Sequence, residues 1–327
     1  MLFRSNTPFR RHLHSHGGQR GQGVQCAAAH GGALLNAVGQ PLYPSRLPPH
    51  LGPDSMKGWR WAGMLLALVL SGCATVPGTT TDIVGGRQVE FVLAGQGAPV
   101  VVFENGLGAT IDWWSKVWPD AMAESRSLAY HRAGYGHSDA SAQPRDGAHA
   151  VEELRALLQA RNLPPPYVLV GHSLGGLYMQ LFARKHPSEV AALVLVDSTH
   201  PDQVKGAGNP EHWPTWLKVV FRATTSDTAK QELAALDATG NQVSNLPVDP
   251  SVPVWVLSAL RATGAPSALA DDANRKRADI AHLYPGSTQV WVDSGHGIPL
   301  EKPEAVVGAV REAVRAARAS RDAQKAQ

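Results

Sequence analysis

The sequence predicts an α/β protein: a mostly parallel central sheet flanked by helices, with a short, mainly helical insertion acting as a cap. Three features predict it. From residue 82 onward, strand-like and helix-like segments alternate. Two of the strand-like segments, residues 99–103 (PVVVF) and 190–196 (VAALVLV), are continuous apolar runs, as strands covered on both faces require. The composition, 43% hydrophobic and 17% charged, is that of a globular chain and excludes disordered, collagen-like and coiled-coil classes.

The elements follow in order. Residues 88–93 read as a half-buried strand and 95–98 as its turn. The run 99–103 is the first fully buried strand, and 127–130 is a weaker one. Residues 149–160 (HAVEELRALLQA) carry apolar side chains at helical spacing, and Pro164–Pro166 stop that helix. Residues 167–170 form a short buried strand, 174–185 a helix, and 190–196 a long buried strand. Two further strands fall at 252–257 and 288–292. A closing helix spans 306–319, followed by a polar tail to 327 expected to fray. Between residues 200 and 250 the alternation breaks. That stretch has helical pieces, Trp213 and Trp216, and no good strand, so it reads as the cap over one end of the sheet.

The N-terminal part is of another kind. Residues 1–55 are rich in His, Arg, Gly, Pro and Gln without apolar periodicity. They read as an unstructured extension, upstream sequence translated from an early start. At Met56 the pattern changes: Lys57 and Arg60 precede an apolar run at 61–70 (WAGMLLALVL), then Ser71, Gly72 and Cys73. A spanning helix needs about 20 apolar residues, so this run has the length of a signal-peptide core instead. The order of charge, apolar run, small residues and cysteine resembles the bacterial lipoprotein signal. That resemblance implies lipidation of Cys73, export, and anchoring in the cell envelope. Ala74, where an Asp would retain the protein at the inner membrane, favours the outer membrane. Cys26 and Cys73 are the two cysteines of the chain, so the mature part has no internal disulfide. Residues 73–81 read as a tether. The formal net charge of +3 belongs to the leader, because residues 73–327 hold 23 basic and 26 acidic groups, a net −3. The folded part therefore lacks the basic excess of a nucleic-acid binder.

Three segments carry chemistry. Gly171-His172-Ser173-Leu174-Gly175 stands between a strand (YVLV) and a helix. A sharp strand-to-helix turn strains the serine backbone, requires glycine neighbours, and lifts Oγ above the sheet with a helix N-terminus beneath it. Glu104-Asn105-Gly106-Leu107-Gly108 follows PVVVF, a glycine-rich loop whose amides can approach a substrate oxygen. Ser294-Gly295-His296-Gly297 follows the last strand, where a histidine can reach the serine as general base. His172, adjacent to Ser173 on a tight turn, points away from it and reads as packing. His131, His137 and His200 could lie near the sheet's upper edge. Trp113, Trp114, Trp213 and Trp216 fit an acyl pocket or plain core and cap packing equally well. No H-E-x-x-H or C-x-x-C spacing occurs, so no metal is expected.

With these motifs the chain resembles the α/β-hydrolase superfamily over about residues 85–318. The segment YHRAGYGHSD (130–139) is similar to that family's D-R-x-G-x-G-x-S stretch, with His131 where Asp is usual, a structural position. The resemblance implies Ser173 as nucleophile, His296 as base, and the amides of Leu107 and Leu174 as the oxyanion hole. The acid is usually placed after the seventh strand, where this chain offers no carboxylate before Asp271 and Asp272. The alternative family position is after the sixth strand, where Asp197 ends VAALVLV. Asp197 is favoured because a carboxylate at a strand end is held rigidly. The implied activity is serine hydrolysis of a small-molecule ester, thioester or small amide through an acyl-enzyme, with no cofactor. The alternatives are an envelope acyltransferase using the same nucleophile and a catalytically inactive hydrolase fold used as a binding module.

Overall fold

Apolar, mostly Val-rich runs become the central strands, and the glycines between strand and helix become the turns. The computed structural model describes residues 75–261 and 266–326. The leader, the lipoprotein-type signal and Cys73 lie outside the described residues. Eight strands form one sheet: β1 (Thr80–Val84), β2 (Arg87–Ala94), β3 (Val100–Glu104), β4 (Ser127–Tyr130), β5 (Tyr167–His172), β6 (Val190–Val196), β7 (Val254–Ala259) and β8 (Thr288–Val292). Their order is β1-β2-β4-β3-β5-β6-β7-β8. β1–β2 and β2–β4 pair antiparallel, and every other pairing is parallel.

Helices cover both faces. α1 (Trp118–Glu124) and the C-terminal helix pack on one side. α2 (Gly147–Ala160) and α3 (Leu174–Lys185) pack on the other. The cap contributes α4 (Thr215–Thr224), α5 (Asp227–Ala234) and α6 (Leu236–Ser244). α7 (Ala268–Asp279), α8 (Ile298–Glu301) and α9 (Pro303–Lys325) complete the chain. Alternation along the strands sorts the core. Val100 and Val102 face Leu154, Leu158, Leu177 and Phe182, whereas Val101 and Phe103 face Trp114, Trp118, Val306 and Val310.

Register decides where function can sit. Glu104 pairs with Gly171, His172 with Val196, and Val196 with Leu257. The chain therefore leaves β3, β5 and β6 at one level, with Asn105, Ser173 and Asp197 beginning adjacent loops. The carboxyl ends of parallel strands are where open α/β sheets gather their ligand-binding groups.

Two expectations are corrected. Residues 73–81 are not wholly a tether. Val76 is buried and its amide donates to Asp112 Oδ1 at 3.0 Å, and β1 begins at Thr80. The β-branched run TTDIV pairs with β2 across Gly85-Gly86, which outweighs the turn signal of Pro77-Gly78. The tail also does not fray at residue 320. α9 continues to Lys325, because polar residues of adequate helix propensity follow the last buried position, Ala317, with no breaker. The cap is helical, as expected, and α1 and α7 are additions. α1 is too short to display a period. α7 (ALADDANRKRAD) buries only Ala270 and Asp272.

Candidate active site

Ser173 occupies the turn between β5 and α3 with φ 53° and ψ −122°, a conformation that side-chain-bearing residues rarely adopt. The surroundings impose it. The Ser173 amide donates to the Val196 carbonyl at 3.1 Å, and the Ser173 carbonyl accepts from the Thr199 amide at 3.0 Å. Gly175 permits the close approach of β3. A Cβ there would press into the carbonyl oxygens of Glu104 and Asn105.

His296 lies on the loop between β8 and α8. Its Nε2 is 3.0 Å from Ser173 Oγ and its Nδ1 is 2.6 Å from Asp197 Oδ2. A carboxylate only accepts, so Nδ1 carries the hydrogen and Nε2 is left to accept from the serine hydroxyl. The His296 side chain is 48% exposed and that of Asp197 is 2% exposed. The imidazole thus faces solvent, while the carboxylate behind it is sealed. Asp197 also has positive φ, 41°. Its Oδ1 accepts from the Ala259 amide at 3.0 Å. Burial alone would raise the Asp197 carboxyl. The hydrogen bond and charge of His296, the Arg277 cation and the Ala259 amide outweigh burial and hold it below the usual carboxylate range.

The loop after β3 passes close beside the serine. A Cβ built on Gly106 would lie 3.2 Å from Ser173 Cβ. The Gly108 amide donates to the Tyr135 hydroxyl at 3.2 Å, and Leu107 stands between these two glycines. Leu174 is the first residue of α3, where a helix amide has no intrahelical acceptor. A buried cluster fixes the loop from behind. Arg132 donates through Nη1 to Glu104 (2.7 Å) and to the Asn105 carbonyl (2.6 Å). Its Nη2 donates to the Gly106 carbonyl at 2.9 Å. Nε and Nη2 also grip Glu232 of α5 at 2.7 and 2.9 Å. Tyr130 donates to Glu104, and Tyr135 donates to Glu232 at 2.7 Å. Burial pushes the Glu104 carboxyl up against the opposing pull of Arg132. One guanidinium therefore ties the loop after β3 to the cap. The sequence offered no signal for this beyond the R of the YHRAGYGHSD stretch.

The other candidates are placed as follows. His172 is buried. Its ring stacks on Trp113 with centroids 5.0 Å apart, and its Nε2–H donates to the His296 carbonyl at 2.9 Å. Burial, and then the charge of His296, push it down to about 3, so it stays neutral. It is more than packing, since it holds the His296 backbone. His131 Nδ1–H donates to Glu90 at 2.8 Å, and its Nε2 accepts from the Ile111 amide at 3.1 Å. The carboxylate absent at position 131 is thus supplied from β2. His137 also meets Glu90, and His200 meets Asp279 at 3.1 Å. Trp114 is fully buried core, Trp213 donates to the Gly208 carbonyl, and Trp216 is exposed on the cap. Asp271 is exposed in the first turn of α7. Asp272 is taken by Arg275 (3.1 Å) and Lys276 (2.6 Å). The structure brings Asp197, and not these two, to His296. Among the described residues, no His, Cys, Asp and Glu group is arranged to hold a metal ion, and no helix is long and apolar enough to cross a membrane.

The chain is similar to known proteins over part of its length. Two uncharacterized proteins of Bacillus subtilis (strain 168), YqjL and YbdG, are 32% and 30% identical to it over 143 and 128 residues. These stretches are 42% and 38% of this chain and 56% and 39% of theirs, so the similarity spans about half the length of those relatives or less. Among solved structures, a thermophilic esterase from Thermogutta terrifontis superposes with a TM-score of 0.54 at 21% identity, covering 73% of this chain and 99% of that one. At that identity the likeness speaks to fold. The family defined by the alpha/beta hydrolase fold matches residues 99–303. The chain therefore belongs to the α/β-hydrolase superfamily.

Proposed function

We propose that the protein is a serine hydrolase that cleaves a carboxylic ester, or a thioester or small amide, through an acyl-enzyme on Ser173. The observation that carries this reading is the continuous hydrogen-bonded line from Ser173 Oγ through His296 to Asp197, at 3.0 and 2.6 Å. Ser173 Oγ attacks the substrate carbonyl carbon while His296 Nε2 takes its proton. The amides of Leu107 and Leu174 hold the developing oxyanion. The protonated His296 then gives its proton to the leaving oxygen, sulfur or nitrogen, and the carbonyl re-forms as the acyl-enzyme. Water, deprotonated by the same imidazole, attacks that acyl group; the bond from the acyl carbon to Ser173 Oγ then breaks, His296 returns the proton to Oγ, and the acid leaves. Asp197 fixes the Nδ1–H tautomer and faces the imidazolium while it exists. No step calls for a cofactor.

The test is Ser173→Ala, assayed with p-nitrophenyl esters and a fluorophosphonate probe. Removing a triad nucleophile costs on the order of 10⁶ in kcat, and the variant should take no label. Appreciable turnover by Ser173→Ala rejects the serine mechanism. A wild-type protein that neither turns over nor labels is a binding module. Acyl transfer to an added alcohol or amine in preference to water marks an acyltransferase.

The same reading extends to location. We propose that the protein is exported in a bacterium and held on the cell envelope, at the outer membrane, by acyl chains on Cys73. The support is the ordered match of Lys57, Arg60, the run 61–70 and Ser71-Gly72-Cys73.

A further inference from the structure

We propose that Arg277 is a positioning residue of the triad, one that clamps the Asp197 carboxylate and sets the pH range over which the Ser173–His296 pair works. The inference rests on the serine-hydrolase reading above.

Arg277 stands in the last turn of α7. Its Nε lies 2.8 Å from Asp197 Oδ1 and its Nη2 donates to Asp197 Oδ2 at 3.1 Å, so the guanidinium meets both carboxylate oxygens side-on. The third nitrogen, Nη1, donates to the Arg261 carbonyl at 3.3 Å and to Asn274 Oδ1 at 3.2 Å. The clamp is sealed, with side-chain exposures of 11% for Arg277 and 2% for Asp197. Asp197 is therefore held from three directions: the Ala259 amide, the guanidinium fork and the imidazole.

Two consequences follow from elementary chemistry. A planar fork with two parallel bonds fixes the carboxylate plane, and thereby the line along which Nδ1–H and then Nε2 must lie. The fork also brings a permanent positive charge to the carboxylate that is meant to stabilise the imidazolium. Part of the Asp197 charge is already balanced. Removing Arg277 would leave all of it facing His296 and would favour the protonated base, which cannot accept the serine proton.

The other charged and titratable groups around this point have partners of their own. Arg261 pairs with Glu301 and approaches Asp293, and Glu301 also accepts from the Gly295 amide. Lys276 pairs with Asp272, and His200 with Asp279. His172, beside His296, is neutral. Arg277 is thus the cation that the structure sets on the triad carboxylate.

The experiment follows the second-order rate of fluorophosphonate labelling from pH 4.5 to 9. It uses wild type, Arg277→Gln, Arg277→Lys and Ser173→Ala, with p-nitrophenyl acetate hydrolysis in parallel. The probe needs no knowledge of the natural substrate. In Arg277→Gln the midpoint of the acid limb should rise by roughly one pH unit, with a lower plateau. Arg277→Lys keeps the charge and loses the fork. Its midpoint should stay near wild type while its plateau falls roughly tenfold. A midpoint does not depend on the fraction of folded protein, so partial misfolding cannot imitate the shift. If Arg277→Gln labels with the wild-type midpoint, Arg277 is merely structural and the proposal falls. If Arg277→Gln does not fold, an unchanged plateau in Arg277→Lys overturns the clamp and a lowered one supports it. Labelling of Ser173→Ala at the wild-type rate rejects the hydrolase reading itself, a separate outcome from either.

Discussion

Asp197 directly follows β6, carries positive φ, and is the acidic group that touches His296. Replacing it by Asn keeps the shape but offers an amide N–H to Nδ1, which inverts the imidazole tautomer. In a serine protease the same change costs about 10⁴ in kcat. Asp197→Asn should lower kcat by a comparable factor, whereas Asp271→Asn and Asp272→Asn should stay within a few-fold of wild type. Steady-state kinetics on p-nitrophenyl acetate measures all three, and a large loss confined to Asp271→Asn or Asp272→Asn would move the acid to the start of α7. At this scale the serine, the histidine and the glycine loop were legible in the sequence. Each is announced by its neighbours: a strand on one side, and glycine or a helix on the other. Arg277 was not. It lies 80 positions from Asp197, on a helix whose charged face reads as ordinary solvated surface. Only the fold brings the two together. His172 reads as packing for a related reason, since its hydrogen bond runs to a backbone atom more than a hundred residues away.

Among elements, the contact between cap and sheet matters most. The cap helix α5 presents Glu232, 1% exposed, to the buried Arg132. Truncating one partner of a buried pair costs about 3–5 kcal/mol because the other is stranded. Here Glu104 still faces Arg132 at 2.7 Å. Glu232→Ala should therefore fall toward the lower end of that range, with Glu232→Gln milder because the amide can still accept. Chemical denaturation midpoints test the order. Activity should fall as well, since the same guanidinium holds the carbonyls of Asn105 and Gly106. Equal stability in all three proteins would show that the cap is not anchored there. Periodicity marked most of the sheet, because buried parallel strands are long β-branched runs. It passed over β1, where four of five residues are exposed, and α7, where no apolar stripe exists. β1 is set by its hairpin with β2 across Gly85-Gly86, and α7 by partners far away in sequence, such as Asp197.

For the molecule as a whole, the hydrolase domain has no charge-based reason to sit on an anionic membrane, since residues 73–327 carry a net −3. Envelope attachment would rest on acyl chains at Cys73, each buried CH₂ contributing about 0.8 kcal/mol, with more than one chain needed to hold. Expression from Met56 should give membrane-bound esterase, and Cys73→Ser should release it or block its maturation with the domain intact. Fractionation, intact mass and ester hydrolysis in both fractions check this. Equal retention and mass would make the Leu70–Cys73 match accidental. The backbone at Ser173 carries a further consequence. Its conformation costs a side-chain-bearing residue on the order of 1–3 kcal/mol. Glycine would be free of that cost, with about 0.5–1 kcal/mol set against it for its looser unfolded chain. A lineage that had given up chemistry could drift to glycine there and gain thermal resilience. This chain still has serine, held against the slope of its own stability, which is what natural selection for a hydroxyl at that point would leave behind.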